Sequence, residues 1–157
     1  MEPKFDHEKL DVYQLELQFI AWVTPLLGEV RPKAGIRTAE VCDQLDRASL
    51  SSLLNTAEGN GKRQRHVRAK FFDDARGSAT ECAACLDALI AKKACEELRV
   101  KQGKEMLLRI VAMLTKLVQL YDAGDRMREE AAKYDDATEK SEFEGEDDDE
   151  DENDREK

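Results

Sequence analysis

The sequence has few helix-breaking residues and no long apolar run. Its 157 residues include only three Pro and eight Gly, against a surplus of Ala, Leu, Glu and Lys, which favours helices over a sheet. No apolar run reaches the roughly 18 residues that a membrane span needs, and the first ten residues, MEPKFDHEKL, are mostly polar or charged. The sequence therefore predicts an α-helical cytoplasmic protein with no membrane partner.

Motifs for catalysis or metal binding are also scarce. The sequence has no nucleophile elbow and no phosphate-binding glycine loop, and the acidic run EDDDEDEND lacks the glycine and ligand spacing of a calcium loop. Cys82 and Cys85 form a CxxC pair, but no second pair or HxxxH follows it at metal-binding spacing. Cys82 lies on an apolar stripe, so we interpret it as a small core residue. We expect no enzymatic activity, no metal and no cofactor.

The net charge of −10 comes from one end of the chain. Residues 135–157 contain 14 acidic and 3 basic residues, whereas residues 1–134 contain 21 acidic and 22 basic residues. The segment SEFEGEDDDEDENDREK has one aromatic and no aliphatic residue, too little apolar surface to offset the entropy of ordering. We therefore predict a nearly neutral domain over residues 1–134 and a disordered acidic C-terminal tail over residues 135–157.

Four helices are predicted within this domain. Their expected bounds are Asp6–Val30, Thr38–Glu58, Gln64–Cys95 and Lys104–Tyr134. Pro25 should bend or end the first helix near Thr24, and the segments RPKAG and VKQGK mark the first and third connections. Short connections favour antiparallel neighbours. The predicted fold is an all-α, antiparallel, up-and-down four-helix bundle.

Apolar stripes support this fold in three of the helices. The fourth helix has heptad spacing at Leu107, Ile110, Val111, Leu114, Leu117, Val118 and Tyr121. The stripe of the third helix is Phe72, Ala75, Ala79, Cys82, Leu86 and Leu89. The second helix has a less regular stripe at Val41, Cys42, Leu45, Ser49, Leu53 and Thr56. Each stripe can face one common core.

The first helix is apolar over roughly 260° of its circumference, and only Glu16 and Thr24 interrupt the apolar sectors. A peripheral helix of a bundle normally buries a stripe of little more than about 100°. We therefore expect the surplus to contact a second subunit; the alternative is a first helix that lies unusually deep among the other three. The interface candidates are Tyr13, Leu17 and Ile20 in one sector and Phe19 and Trp22 in the other.

The segment LNTAEGNGKRQRHVRAKFFDDARG places unfavourable charges at two helix ends. Glu58 lies at the negative end of the second helix, and arginines lie at the positive start of the third. One interpretation is structural: Glu58 pairs with Arg63 or Arg65, and Gly59 or Gly61 ends the helix in the left-handed conformation. The other is functional, a phosphate-binding patch beside free backbone N–H groups. Its candidate residues are Lys62, Arg63, Arg65, His66, Arg68 and Lys70.

Several segments also resemble a known family. They are FDHEKLDVYQLELQFIAWV, DQLDRASLSSLLNTAEGNGK and FFDDARGSATECAACLD, and the most specific positions include Asn55, Glu58, Gly59, Gly61, Arg76, Gly77 and Glu81. The sequence resembles the bacterial 23S ribosomal RNA intervening-sequence protein family. This resemblance implies a small helical bundle that assembles as a ring-like homo-pentamer and has no established enzymatic activity. The family's relatives include the accessory protein of diversity-generating retroelements, which is thought to bind nucleic acid and a reverse transcriptase through a basic surface.

Two functions follow as hypotheses. The first is nucleic-acid binding, RNA or DNA, through the basic connector of an oligomeric bundle. The second is a protein scaffold without nucleic-acid binding, whose acidic tails recruit a basic protein. The nearly neutral domain and the acidic tail both depart from the family pattern.

Overall fold

The computed structural model describes residues 2, 4–33 and 35–143, with side chains except at 125 and 137–143. These residues form only helices, turns and irregular segments. The α-helices are α1 (Asp11–Val30), α2 (Ile36–Gly61), α3 (Arg65–Ala91) and α4 (Glu97–Phe143). Short 3-10 turns span Asp6–Lys9 and Arg31–Lys33. The predicted all-α fold is confirmed.

Polar contacts show how the helices are arranged around one core. Glu16 of α1 bonds to Ser52 of α2 at 2.6 Å, and Ser51 of α2 bonds to Ser78 of α3 at 3.0 Å. Asp87 of α3 bonds to Lys104 of α4 at 2.5 Å, and Arg99 of α4 bonds to Glu29 of α1 at 3.0 Å. Each helix therefore lies between two others. Further contacts, Arg31 with Asp43, Gln44 with Glu81 and Phe72 with Tyr121, show that consecutive helices run in opposite directions. This arrangement is the predicted up-and-down four-helix bundle, and it forms the compact unit Met1–Asp122.

The predicted stripes of α2, α3 and α4 face the core. All six stripe residues of α3 are buried, as are Leu107, Ile110 and Leu114 of α4. The remaining stripe residues of α4, together with Val41 of α2, are partly buried and pack against that core. Fully burying a Leu or Phe side chain contributes roughly 1.5–3 kcal/mol, so these stripes supply much of the driving force for folding.

The first helix differs from its prediction at two points. The chain forms a 3-10 turn over Asp6–Lys9, and Leu10 is extended before α1 begins at Asp11. Of the two expected effects of Pro25, a bend or an end near Thr24, the end does not occur, because α1 continues through Pro25 to Val30, the predicted end of the helix. Pro25 has no N–H, so the carbonyl of Ala21 lacks the hydrogen bond that it would otherwise accept from residue 25. Ala21 lies on the exposed side of the helix. A missing bond on that side costs little, since water can replace the donor.

The connection between α3 and α4 was predicted in the wrong place. The third helix ends at Ala91 rather than Cys95, and the fourth begins at Glu97 rather than Lys104. Lys93, two residues after this end, has φ 59°, in the left-handed region, and the amide of Ala94 donates to the carbonyl of Leu89 at 2.9 Å. This is a Schellman motif with lysine where glycine is usual. Sequence reasoning missed it because no glycine marks the position.

Gly103, which the sequence suggested as part of a loop, lies inside α4 against the indole of Trp22. A Cβ at Gly103 would lie 2.1 Å from one ring atom of Trp22 and 2.3 Å from another. Glycine at this position therefore lets α4 approach α1 closely, a packing role that sequence periodicity does not reveal.

The second unit is Ala123–Lys157. Within it α4 continues to Phe143, beyond the predicted end at Tyr134, and the side chains of Met127 and Tyr134 are exposed. The predicted acidic tail therefore begins inside this helix. Its remaining part, residues 144–157, lies outside the described residues.

Candidate binding surfaces

The basic connector is short, and one of its arginines caps the preceding helix. The second helix ends at Gly61 and the third begins at Arg65. Arg68 donates from Nε to the carbonyl oxygen of Gly59 at 3.3 Å, and from Nη2 to the carbonyl oxygen and, at 3.2 Å, to Oδ1 of Asn60. A cation thus meets the negative end of α2, the arrangement that the helix dipole favours. Arg68 is therefore unfavourable for the dipole of its own helix α3 but favourable for that of α2.

Arg65 is also held by the bundle. Its Nη2 donates to the carbonyl oxygen of Leu120 at 2.7 Å, and its guanidinium lies 4.9 Å from the ring centroid of Tyr121. Arg68 lies at the same distance from that ring, which packs against Phe72. Tyr121 therefore accepts two cation–π contacts and joins the start of α3 to α4. Two of the three candidate arginines hold the fold together at this end of the bundle.

The predicted structural account of this connector needs correction. Glu58 is exposed, and no ion pair joins it to Arg63 or Arg65 in the described part of the chain. Gly59 and Gly61 both belong to α2 and neither has positive φ. Because Arg68 satisfies the last carbonyls from outside, the helix needs no left-handed residue to do so.

Gly59 has a packing role instead. A Cβ at this position would lie 2.8 Å from Cβ of Phe71 and 3.4 Å from the ring of Phe72. The absence of a side chain lets α3 cross α2 closely just after the connector. The sequence predicted that Gly59 or Gly61 ends the helix in the left-handed conformation, whereas the structure gives Gly59 a close contact with α3.

The other family-motif residues lie on α2 and α3. Asn55 donates to the carbonyl of Ser51 at 2.9 Å, and Glu81 accepts a hydrogen bond from Gln44. Arg76 forms an ion pair with Asp73 at 2.5 Å on the surface of α3. Gly77 is exposed and has open space around it. Of the motif residues, Gly59 and Glu81 therefore contact the neighbouring helix across the α2–α3 interface, whereas Asn55 and Arg76 bond within their own helices.

Three of the remaining basic residues face outward. Arg63, His66 and Lys70 are exposed, whereas Lys62 is half-buried with its ammonium 5.0 Å from the ring centroid of Phe71. His66 and Lys70 also line an open groove of about 410 Å³ between α3 and α4. Asp73 and Asp122 line the same groove, so its charge is mixed rather than uniformly positive.

The two apolar sectors of α1 have different environments. Phe19 is buried in its own bundle, and the half-buried Trp22 packs on Gly103. The sector of Tyr13, Leu17 and Ile20 is only partly covered. The Phe19 and Trp22 sector therefore belongs to the bundle core, and the other sector is the one available to a partner.

The neighbouring helix α2 extends this available surface. Leu17, Leu50 and Leu54 are 39%, 50% and 56% exposed. Sequence analysis did not identify the two leucines of α2, although their i, i+4 spacing opposite the core stripe marks them as outward-facing. We refer to the surface of Tyr13, Leu17, Ile20, Leu50 and Leu54 as the α1–α2 face.

Glu16 is a buried carboxylate between α1 and α2 with a raised pKa. The residue is 2% exposed, and its Oε2 accepts hydrogen bonds from Ser52 at 2.6 Å and Thr56 at 3.1 Å. In the described structure its Oε1 accepts none. Burial raises the pKa of Glu16 to about 7, and the two hydroxyls oppose this shift only partly. Its interruption of the apolar first helix was the only sequence signal for this site.

The cysteines have the character of core residues. Cys82 and Cys85 are buried, and burial raises the pKa of the Cys82 thiol to about 12. A thiol in this environment is a poor nucleophile and a poor metal ligand. Among the described residues, no group of three or more His, Cys, Asp or Glu side chains is placed to hold a metal ion. Likewise, no described helix is long and apolar enough to cross a membrane.

Comparison with known proteins identifies one family. A family model described as 23S rRNA-intervening sequence protein matches residues 8–116, which include α1, α2, α3 and the first part of α4. The search of curated proteins and the search of solved structures give no match.

Proposed function

Because this chain belongs to the 23S rRNA-intervening sequence protein family, we propose that it is a non-enzymatic, homo-oligomeric scaffold protein that assembles through its α1–α2 face. The observation that carries the proposal is the pair of neighbouring helices with outward-facing leucines at positions 17, 50 and 54. The family resemblance implies five subunits. A closed ring of identical subunits requires each subunit to contact two neighbours through two different surfaces, and the α1–α2 face is proposed as one of them.

The energetics of this face support assembly. Removing a Leu side chain from water contributes roughly 1.5–3 kcal/mol when burial is complete, so three half-exposed leucines and two partly covered neighbours contribute several kcal/mol per interface. The burial of two titratable side chains also supports a non-enzymatic role. Glu16 is enclosed by α2, and the Cys82 thiol is held in its protonated form by burial. Neither group is open to a substrate.

Light scattering after size-exclusion chromatography tests the assembly. We expect an oligomer at micromolar concentration, and we expect the paired change Leu17→Glu and Leu50→Glu to give folded monomers. The matched control is Leu98→Glu with Leu108→Glu, two exposed leucines of α4 that should leave the oligomer intact. Circular dichroism confirms folding in each case. A monomeric wild-type protein would refute the proposal.

Nucleic-acid binding is the second candidate, supported by the exposed cations Arg63 and Lys70 beside the start of α3. With Arg65 and Arg68 held by the fold, Arg63 and Lys70 can neutralise about two phosphates per chain, and the logarithmic salt slope should be roughly −1 to −2. Arg63→Ala with Lys70→Ala should weaken binding of single-stranded RNA without unfolding the bundle. Substitution of Arg65 or Arg68 does not make this distinction, because both residues also hold the fold.

The acidic tail gives an independent test of that second candidate. Residues 135–157 carry a net charge of −11 on the same chain as the exposed cations. A tethered segment has an effective concentration that reaches roughly the millimolar range, so it competes with phosphate for these cations. Deleting residues 135–157 should strengthen RNA binding. Equal and negligible binding by both proteins at low salt would eliminate the nucleic-acid candidate and leave the scaffold proposal intact.

A further inference from the structure

A groove lies where the end of α3 meets the start of α4, away from the α1–α2 face. It has a volume of about 800 Å³. Ile90, Val100, Leu98 and Leu108 provide its apolar surface. Val100 is fully buried and forms part of the floor, whereas Leu98 and Leu108 are 81% and 73% exposed. Two leucines this exposed beside one groove mark a surface suited to contact with another molecule.

The dimensions of this groove suit a helix. Leu98, Lys101, Glu105 and Leu108 recur at spacings of three and four residues, so they share one side of α4. At 1.5 Å per residue, Leu98 and Leu108 are about 15 Å apart along the axis, or roughly three helical turns. An amphipathic helix that lies in such a groove can place apolar side chains at successive turns.

The charges around the groove favour a basic partner. Four carboxylates line it, at Asp87, Glu96, Glu97 and Glu105, against Lys101 and Lys104. Lys104 is already paired with Asp87 at 2.5 Å. The exposed glutamates therefore dominate the rim, and their field attracts cationic side chains and repels anionic surfaces.

The chain's own basic segment is not a suitable occupant. Arg65 and Arg68 are bound to the bundle, and the apolar residues that follow them, Ala69 and Phe72, are buried in the core. That segment cannot present its cations and an apolar face together without unfolding the start of α3. A second copy of this chain therefore offers no matching basic amphipathic helix there.

We propose that this groove binds an amphipathic helix of another protein, with leucine-like side chains against Leu98 and Leu108 and lysines or arginines beside the glutamates. The groove lies on α3 and α4, whereas the α1–α2 face lies on the other two helices. If the assembly occurs, each subunit of the scaffold carries one such docking groove. The charge of the partner is opposite to that of the acidic tail, so the tail favours approach of the same partner.

A model peptide tests the proposal on the full-length protein. The probe is a fluorescent peptide of leucine and lysine in a heptad pattern, about four helical turns long, and its binding is measured by fluorescence anisotropy. Leu98→Ser with Leu108→Ser should weaken binding by about tenfold or more, since both apolar anchors are lost. Ile36→Ser with Leu120→Ser, two exposed apolar residues outside both the groove and the α1–α2 face, is the matched control and should bind the peptide as wild type does. All these proteins carry the same tail, so its attraction for lysine cancels in the comparison.

A second set of variants tests the role of the groove's glutamates. Glu96→Gln, Glu97→Gln and Glu105→Gln together should weaken the same peptide several-fold and reduce the salt dependence of binding. A peptide with glutamate in place of lysine should bind much more weakly to wild type. Equal binding by the Leu98/Leu108 variant and wild type, or equal binding of the two peptides, would overturn the proposal.

Light scattering on the Leu98/Leu108 variant separates this proposal from the assembly. Retention of the wild-type mass with loss of peptide binding supports a docking groove. Loss of the oligomer would show that a second copy occupies the groove and would overturn the proposal for a foreign helix. A monomeric wild-type protein that still binds the peptide through Leu98 and Leu108 would refute the assembly alone.

Discussion

The second and third helices end in different ways, although each must satisfy the hydrogen bonds of its last carbonyls. In α2, two glycines stand near the end of the helix, yet neither is left-handed, and Arg68 supplies the hydrogen bonds to the last carbonyls. After α3, Lys93 adopts the left-handed conformation that glycine usually provides. A glycine near a helix end therefore indicates either a turn or a close contact, and only the packing distinguishes them.

The physical reason is that glycine lacks a Cβ, and this absence has two separate uses. It permits positive φ, and it permits another group to approach the backbone. Gly59 and Gly103 serve the second use, against Phe71 and Trp22. The following predictions test this comparison, from the largest expected effect to the smallest.

Gly103→Ala should have the largest effect. The new methyl would meet three ring atoms of Trp22 at 2.1–2.7 Å, so either the indole or the helix must move, at a cost of about 2–4 kcal/mol in the free energy of unfolding. Chemical denaturation followed by the fluorescence of the single Trp measures the change. Gly28→Ala, inside α1 with open space around it, is the control and should stabilise by up to about 1 kcal/mol. If Gly103→Ala left the free energy of unfolding unchanged, the indole of Trp22 would be able to move away from the new methyl at no cost.

The raised pKa of Glu16 should make the stability of the bundle depend on pH. This pKa is raised from 4.5 to about 7, so the folded state retains a proton that the unfolded chain loses. Stability from this group is complete below pH 4.5 and is lost as the pH rises to 7, by up to roughly 3 kcal/mol. Glu16→Gln should remove this loss and be more stable than wild type at pH 8. A wild type and variant with parallel pH profiles of unfolding would contradict the assignment.

Gly59→Ala should destabilise the bundle by about 1–3 kcal/mol, because the new methyl would lie 2.8 Å from Cβ of Phe71, next to its backbone. Thermal denaturation followed by circular dichroism measures the effect. Gly61→Ala lies two residues further along the same helix with open space around it, and it should be neutral or stabilising. If both variants behave alike, the close contact at Gly59 does not matter for stability.

Arg68→Ala should cost about 1–2 kcal/mol, since the last carbonyls of α2 lose their donor and Tyr121 loses one of its two cations. Arg68→Lys should recover part of this loss through its charge, but not the forked hydrogen bonds. Arg63→Ala, at an exposed position, is the control and should leave the unfolding transition unchanged. Equal stability of Arg68→Ala and Arg63→Ala would disprove the capping role.

Lys93→Gly should have the smallest effect and the opposite sign. At φ 59° lysine is strained where glycine is not, so the variant should be more stable by about 0.5–1 kcal/mol. Lys92→Gly is the control, because its φ of −79° needs no glycine and the change should not stabilise the protein. Differential scanning calorimetry resolves shifts of this size. A destabilised Lys93→Gly would indicate that the lysine side chain makes a contact worth more than the strain.

The helical class, the four helices and their core stripes follow from the sequence, because burial of apolar residues at helical spacing is decided largely by local periodicity. The family motif was likewise recognisable from Asn55, Gly59 and their neighbours. The site was less predictable: the pattern of cations in the basic connector did not show that Arg65 and Arg68 bind the bundle, nor that Leu50 and Leu54 join the sector of Leu17. Those roles depend on which distant residues become neighbours. Only tertiary packing brings Tyr121 to the arginines, Trp22 to Gly103 and the hydroxyls of α2 to Glu16, and this packing decides which charges remain available to a partner.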